Sequence, residues 1–146
     1  MLTVNELAIQ SKAPAHVVRY YTKIGLIKPT SHQENGYRLF APRDAERLRF
    51  IRRAKLLGFT LKEIAEITQH AEHGESPCED VRTIIQQHIV ENRIKIEEML
   101  KLQNRMEHAL LQWAQMPDGI PDGNSVCHLI ESFENEDLNK NTPGTN

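Results

Sequence analysis

Hydrophobic positions change their spacing along the chain, and each change marks a different element. Up to about residue 73, apolar residues come in short groups at helical spacing, separated by Gly, Pro or small polar residues. After Pro77, to about Gln115, there is neither Gly nor Pro, and apolar residues recur at alternating steps of four and three. The pattern predicts four short helices followed by one long helix.

Helix boundaries are predicted from residue types that favour helix ends. Capping boxes (Thr3 with Glu6, Thr60 with Glu63) or prolines mark the starts, and glycines mark most of the ends. The starts are Thr3, Pro14, Pro42 and Thr60, and the glycines are Gly25, Gly58 and Gly74. Only residues 11–13 separate the first two helices, which therefore form a helix-turn-helix.

A β-hairpin is predicted after the second helix. The dipeptide Asn35-Gly36 is a strong hairpin signal, and it lies between the candidate strands Leu26–Lys28 and Tyr37–Phe40. Such a hairpin would form a wing beside the helix-turn-helix.

The long helix is predicted to start at Ser76 as N-cap, with Pro77 in the first helical position and Glu79 completing a capping box. It would be about 55 to 60 Å long. Its 4-3 pattern is a coiled-coil seam that one helix cannot bury alone, which favours a homodimer over a helix packed on its own domain. The seam positions are Ile85, Ile89, Asn92, Ile96, Met99, Gln103, Met106, Leu110 and Trp113.

A Pro/Gly-rich loop follows, with a short helix starting near Ser125 and a polar tail. We expect the tail to be disordered. The predicted domains are a winged helix-turn-helix domain (1–75), a dimerisation helix (76–115), a loop with a short helix (116–134) and the tail (135–146).

Charge is distributed unevenly about a formal net charge of −2. Residues 1–59 hold 11 Lys/Arg against 4 Asp/Glu, and residues 60–146 hold 7 against 16. A basic half favours a polyanion partner, although a solvated basic face is the alternative. The chain has neither a membrane-spanning apolar run nor a leader pattern, so we expect a cytoplasmic protein without membrane contact.

The second helix supplies candidate DNA contacts. Arg19, Tyr20 and Tyr21 can reach phosphates and base edges from a major groove, although one tyrosine is expected to belong to the core. Arg38, in the hairpin, is placed to grip the DNA backbone.

The segments "VRYYTKIGLIKP", "ENGYRLF" and "LRFIRRAKLLGFTLKEI" resemble the MerR family of bacterial transcription regulators. The resemblance implies a mainly α fold with a winged helix-turn-helix, and a dimer formed by antiparallel long helices. It also implies a palindromic promoter that the activated form distorts so that RNA polymerase can use it. The residues that match the family's DNA-contacting motifs are His16, Arg19, Tyr20, Tyr21, Asn35, Tyr37, Arg38 and Arg53.

The two cysteines are each expected near a helix start, where the helix dipole favours the thiolate form. Cys78 lies at the N-terminus of the long helix, and Cys127 comes just after Ser125, the expected N-cap of the short helix. The two ends of a helix about 55 Å long lie too far apart for the two cysteines to share a site within one chain. In an antiparallel dimer, Cys78 of one subunit can meet Cys127 of the other. "SPCED" and "SVCHLIE" also resemble the metal-sensing branch of the family, where a cysteine at the head of the long helix is associated with divalent ions.

The predicted metal ligands are Cys78, Cys127 and His128, and an oxygen can come from Asp118 or Asp122. This set would suit zinc, cadmium, lead or mercury. Where the branch has a further cysteine the chain has Met116, whose thioether is uncharged.

The remaining histidines are given no metal role. His70 and His73 flank a helix end, where the dipole explains them, and His88 and His108 are expected to face solvent or the dimer interface.

Two other functions stay open from the sequence. The same architecture would serve a thiol redox sensor, in which the two cysteines form a disulfide or one reacts with an electrophile. A drug sensor would need a larger effector domain than the roughly thirty residues after the long helix. We find no catalytic motif and expect no enzyme activity.

Overall fold

The computed structural model describes residues 1–32 and 36–134, over which the chain is mainly helical. A two-stranded antiparallel sheet accompanies the helices. The elements are α1 (Val4–Ser11), α2 (Ala15–Lys23), β1 (Ser31–His32), β2 (Arg38–Leu39), α3 (Arg43–Leu56), α4 (Leu61–Glu72), α5 (Cys78–Trp113) and α6 (His128–Glu131). The predicted mainly α fold with an N-terminal helix-turn-helix is confirmed.

The turn between α1 and α2 follows from local residue choices. The Glu6 amide donates a hydrogen bond of 3.2 Å to the Thr3 hydroxyl, as in a capping box. The Glu6 carboxylate, however, accepts a hydrogen bond of 3.1 Å from the Thr3 hydroxyl and not from the Thr3 amide. Only one of the two capping-box bonds therefore forms. Helix α1 ends at Lys12, whose left-handed conformation (φ 57°) turns the chain. Pro14 precedes the first residue of α2.

The core of the helix-turn-helix region lies between α1, α2, α3 and α4. Helix α1 packs against α2 and α3, and the N-terminus joins the sheet through two Leu2–Phe40 backbone hydrogen bonds of 2.7 Å. The largest fully buried side chains are Phe40, Leu7, Ile27, Leu48, Ile51, Ile64 and Val18. This aliphatic core fixes α2 and the hairpin relative to each other.

The hairpin, called the wing below, differs from the prediction in its first strand. Ser31 pairs with Leu39 and His32 with Arg38, so Leu26–Lys28 is not a strand. The amides of residues 26 and 27 donate to the carbonyl of Tyr21 at the end of α2, which leaves them unavailable to a sheet. Gly36 has a positive φ (85°), which glycine adopts without strain, and Asn35 lies outside the described residues.

The start of α4 is confirmed in full. Its capping box has both bonds, from the Glu63 amide to Thr60 Oγ1 at 3.1 Å and from the Thr60 amide to Glu63 Oε1 at 2.8 Å. Helix α5 is one unbroken helix of 36 residues that begins at Cys78, one residue later than predicted. The Ser76 hydroxyl accepts the Cys78 amide at 3.4 Å.

The chain divides into two compact units, and the boundary between them lies within α5. The first is Met1–Glu91, and the second begins at Asn92 and contains the rest of α5, the loop and α6. The predicted disordered tail, 135–146, lies outside the described residues. Among the residues that are described, no helix is long and apolar enough to cross a membrane.

Candidate functional site

Helix α2 presents three of the predicted DNA-contacting side chains on one exposed face. His16, Arg19 and Tyr20 are separated by three and four positions, the spacing that places residues on the same side of a helix, and all three are exposed. Tyr21 is half-buried and packs against the core, with its ring 5.8 Å from that of Tyr20. The expectation that one tyrosine belongs to the core is therefore confirmed for Tyr21.

The other predicted contacts lie on the wing and on α3. Tyr37 and Arg38 are exposed on the wing, and Arg53 is exposed on α3. Asn35 cannot be placed, because it lies outside the described residues. The face formed by His16, Arg19 and Tyr20, together with the wing, has the chemistry of a nucleic-acid contact surface, with cations for phosphates and aromatic rings for base edges.

Two arginines of α3 hold the helix-turn-helix together, which the sequence did not reveal. Arg49 Nη2 donates to the carbonyl of Gln10 at 3.0 Å, and Arg52 Nη1 donates to the carbonyl of Lys12. These carbonyls end α1, where helix carbonyls lack partners within the helix. Part of the basic charge counted in the sequence therefore braces the turn that positions α2.

We expect Arg49→Ala to lower the free energy of unfolding by about 1.5 kcal/mol, the lower end of the usual contribution of a hydrogen bond with a charged partner, because the Arg49 side chain is partly exposed. The matched control is Arg53→Ala on the same helix, which should leave unfolding unchanged but weaken operator binding. Urea denaturation and fluorescence anisotropy on DNA measure the two effects. Equal losses of stability in both variants would contradict the role of Arg49 in stabilising the turn between α1 and α2.

Cys78 is exposed at the first residue of α5. It borders an apolar hollow of about 460 Å³ between α3, α4 and the start of α5. Among the residues lining this hollow are Ile67, Ala71, Pro77 and Val81. The thiol thus stands at the edge of an apolar surface, within reach of a second molecule.

Cys127 is the N-cap of α6, and the expectation that the helix starts near Ser125 is wrong. The Glu131 carboxylate accepts the amides of Val126 and Cys127 at 2.9 and 2.7 Å, which fixes the start of α6 at His128. The Ser125 hydroxyl is instead bound to Asp122 at 3.1 Å. The Cys127 side chain makes no capping hydrogen bond, so its sulfur has no structural task in α6.

The loop before α6 folds back onto that helix. The Ser132 hydroxyl donates to Met116 Sδ at 3.9 Å, and the ring of His128 lies so close to Gly119 that a Cβ there would be 2.2 Å from Nδ1. His128 is therefore half-buried in the loop. The Asn124 amide, followed by the Ser125 hydroxyl, lowers the pKa of Asp122, whose carboxylate is thus engaged in the loop's own turn.

Both thiols are free, and they belong to different compact units. Within the parts of the chain that the structure describes, no three His, Cys, Asp or Glu side chains lie close enough together to hold a metal ion. The ligand set Cys78, Cys127 and His128 stays a prediction at this point.

The structure combines a helix-turn-helix, a wing, a basic face on α2 and a long helix that follows them. This combination is typical of the class of DNA-binding regulators. Residues 2–71 match the family described as MerR HTH family regulatory protein, and residues 45–109 match that described as MerR, DNA binding. The chain belongs to the MerR family of transcriptional regulators, as the resemblance indicated, and it is not an enzyme.

Curated relatives and a solved structure resemble this chain over most of its length. The HTH-type transcriptional regulator HmrR of Rhizobium leguminosarum bv. viciae is 36% identical over 107 residues, 73% of this chain and 82% of that protein. The regulator ZntR of Escherichia coli K12 is 30% identical and covers 92% of this chain and 93% of its own length. The crystal structure of PbrR691 from Ralstonia metallidurans CH34 in complex with lead(II) is 27% identical with a TM-score of 0.68, covering 90% of this chain and 98% of that one.

Proposed function

We propose that this chain is a homodimeric regulator that binds a palindromic promoter through α2 and the wing, and activates transcription when a divalent heavy or transition metal ion binds Cys78 and Cys127 of opposite subunits. The observation that carries the proposal is the position of the two free thiols, one at the head of α5 and one at the head of α6. PbrR691, which was solved in complex with lead(II) and resembles this chain along most of its length, supports a metal response.

A dimer is supported by the apolar surface of α5. In the single chain, the seam residues Ile89, Ile96, Met99, Met106 and Leu110 are all exposed, at 52–65% of their surface. A row of this length along one helix would be buried by the same row on a second copy. Trp113, at the end of the seam, has a buried indole N–H without an acceptor among the described residues.

The donor set fits a soft divalent ion. Two thiolates bind zinc, cadmium, lead and mercury strongly, and the imidazole of His128 can add a nitrogen. Bound metal would supply a crosslink between Cys78 of one subunit and Cys127 of the other. We propose that this linkage favours the DNA-distorting form of the dimer, in which the promoter elements are correctly placed for RNA polymerase.

Metal titration of the reduced protein tests the metal site. Zinc, cadmium, lead, mercury and copper(I) are added in turn to the wild type and to Cys78→Ser, and thiolate-to-metal absorption is followed. One ion per monomer with weaker binding by Cys78→Ser supports the cross-subunit site. If no ion binds more tightly than at micromolar concentration, the proposed metal response is rejected, and the assignment as a transcription regulator still stands.

Thiol oxidation is the second candidate mechanism, and the accessibility of both sulfurs favours it. Cys78 is exposed and Cys127 is half-exposed, and neither thiol is in a disulfide. A redox regulator should respond to oxidant in the presence of a chelator, whereas a metal regulator should not.

Arg19→Ala should weaken operator binding by about 1 to 3 kcal/mol, the expected cost of losing a side chain that reads a base. The control is Lys62→Ala, which removes an exposed positive charge from a different helix, α4. Anisotropy titrations at one fixed salt concentration compare the two variants. An unchanged operator affinity for Arg19→Ala would refute the contact.

A further inference from the structure

The side chain of His88, on α5, is bound to Glu63 on α4 inside the first compact unit. Its Nε2 lies 2.9 and 3.0 Å from the two carboxylate oxygens of Glu63, and each of the two side chains is only 23% exposed. The ring of Phe59 stands edge-on to the imidazole, with the centroids 6.4 Å apart. The expectation that His88 faces solvent or the dimer interface is therefore wrong, because the imidazole belongs to the α4–α5 contact.

Glu63 is fixed by two different partners. The same carboxylate accepts the Thr60 amide at 2.8 Å, so it cannot follow the imidazole without breaking the capping box of α4. The Thr60 amide, followed by His88, lowers the pKa of Glu63, and Glu63 in turn raises the pKa of His88. The pair is a charge-assisted hydrogen bond between two helices, with a defined direction.

Besides the His88–Glu63 bridge between α4 and α5, a second bridge joins the other end of α4 to the first turn of α5. His70 Nε2 lies 3.5 Å from Asp80, while its Nδ1 lies 2.9 Å from Glu75 in the connecting turn. Between the two bridges, partly buried aliphatic side chains of α5 pack against the core of the DNA-binding region. They are Val81, Ile84 and Ile85.

These contacts differ in what they determine. Apolar packing holds α5 on the core but is not directional, so it permits small rotations and shifts of the helix. A hydrogen bond weakens steeply when its angle changes. His88 lies in the third turn of α5, shortly before the first compact unit ends at Glu91, so this contact sets the direction in which the helix reaches the end of that unit.

We propose that the His88–Glu63 contact is a positioning contact that fixes the direction in which α5 leaves the DNA-binding unit, and so determines which half-site spacing the dimer accepts. The inference rests on the proposed function, because it needs a two-fold dimer on a palindrome. Such a dimer reads two half-sites at a separation set by its own geometry. One added base pair moves a half-site by about 3.4 Å and turns it by about 35°.

The chain offers matched variants for this contact. His88→Ala removes the imidazole, whereas His88→Gln keeps an amide donor near the position of Nε2. Glu63→Gln keeps an acceptor for the Thr60 amide, since glutamine also closes a capping box, but removes the charge. His108→Ala is the control, because His108 lies on α5 and its side chain contacts Gln112 on that same helix.

Selection from a random pool of double-stranded DNA reads out the half-site spacing whatever the operator sequence is. The wild type should recover two half-sites at one spacing. His88→Ala should recover the same half-sites at three or so consecutive spacings, with discrimination between neighbouring spacings reduced about tenfold, or about 1.4 kcal/mol. His88→Gln and His108→Ala should keep the single spacing, and Glu63→Gln should fall between.

The outcomes separate this inference from the proposed function. If the wild type recovers no palindrome, the dimeric DNA-binding function fails. If the wild type recovers one spacing and a folded His88→Ala recovers the same one, the positioning contact is refuted while the function stands.

A pH series tests the contact without relying on the fold of His88→Ala. The charged groups facing the imidazole are Glu63 on α4 and Glu91 on α5, and both raise its pKa above the ordinary 6.5. The contribution of the imidazolium is complete below pH 6.5 and is lost as pH rises through the raised value. Spacing discrimination by the wild type should be greater at about pH 6 than at about pH 8.5, with no such change in His88→Gln. Equal pH dependence in both would overturn the proposal.

Discussion

Cys127→Ser is expected to abolish the transcriptional response to metal while leaving operator affinity within about twofold of the wild type. A hydroxyl is a poor ligand for soft ions, so metal affinity should fall by more than about 100-fold, beyond the effect of losing an outer-shell partner. The variant should keep its fold, because Cys127 is the N-cap of α6 and serine is a preferred residue there. In vitro transcription with and without metal measures the response, and anisotropy measures the operator affinity.

Met116→Leu is the matched control for this variant. The Met116 thioether is partly buried and accepts the Ser132 hydroxyl, so leucine keeps most of its volume next to α6. Metal affinity should be unchanged, because the proposed ligands are Cys78, Cys127 and His128. A loss as large as that of Cys127→Ser would add the thioether to the ligand set, and a fully inducible Cys127→Ser would remove that thiol from the switch.

Those parts of the fold that depend on local chemistry could be predicted from the sequence. The capping box of α4 needs only a threonine and a glutamate three residues apart, and both of its hydrogen bonds form. The helix-start residues Ser76 and Pro77 likewise predicted the start of α5 to within one residue. The residues that predict such a helix start are the same residues that form its hydrogen bonds, so distant parts of the chain do not affect the outcome.

Two elements were predicted incorrectly because their polar groups form hydrogen bonds with residues outside the predicted element. Leu26–Lys28 has the composition of a strand, but the end of α2 uses its amides and the buried side chain of Ile27 belongs to the core. Ser125 is a suitable N-cap, yet Asp122 binds its hydroxyl and Glu131 closes the helix at Cys127. In each case a competing acceptor a few residues away decided the boundary.

The functional surface shows the same limit. His16, Arg19 and Tyr20 share the exposed side of α2 because helical spacing places them there. Arg49 and His88 could not be assigned from the sequence, since their partners Gln10 and Glu63 are 39 and 25 residues away. A basic residue in a string such as "RLRFIRRAK" has the same sequence signature whether it faces DNA or braces a turn.

Met99→Glu should convert the dimer to a monomer and weaken operator binding by about 10²- to 10⁴-fold, the range lost when two linked binding modules act singly. Met99 is 64% exposed in the single chain, and it is the midpoint of the seam from Ile85 to Trp113. In an antiparallel pair that overlaps symmetrically, the midpoint of one helix faces the same residue of the other. The substitution would therefore place two carboxylates opposite each other in an apolar interface, where desolvation and repulsion both oppose association.

Lys101→Glu separates the effect of the seam from that of charge. Lys101 lies two residues further along α5, on the opposite side of the helix, and its replacement changes the formal charge by −2 rather than −1. Sedimentation equilibrium should show a dimer for Lys101→Glu and a monomer for Met99→Glu, with circular dichroism confirming that both variants remain helical. If both variants dissociate equally, net charge and not the seam controls assembly; if Met99→Glu stays dimeric with wild-type operator affinity, the interface does not use this face of α5.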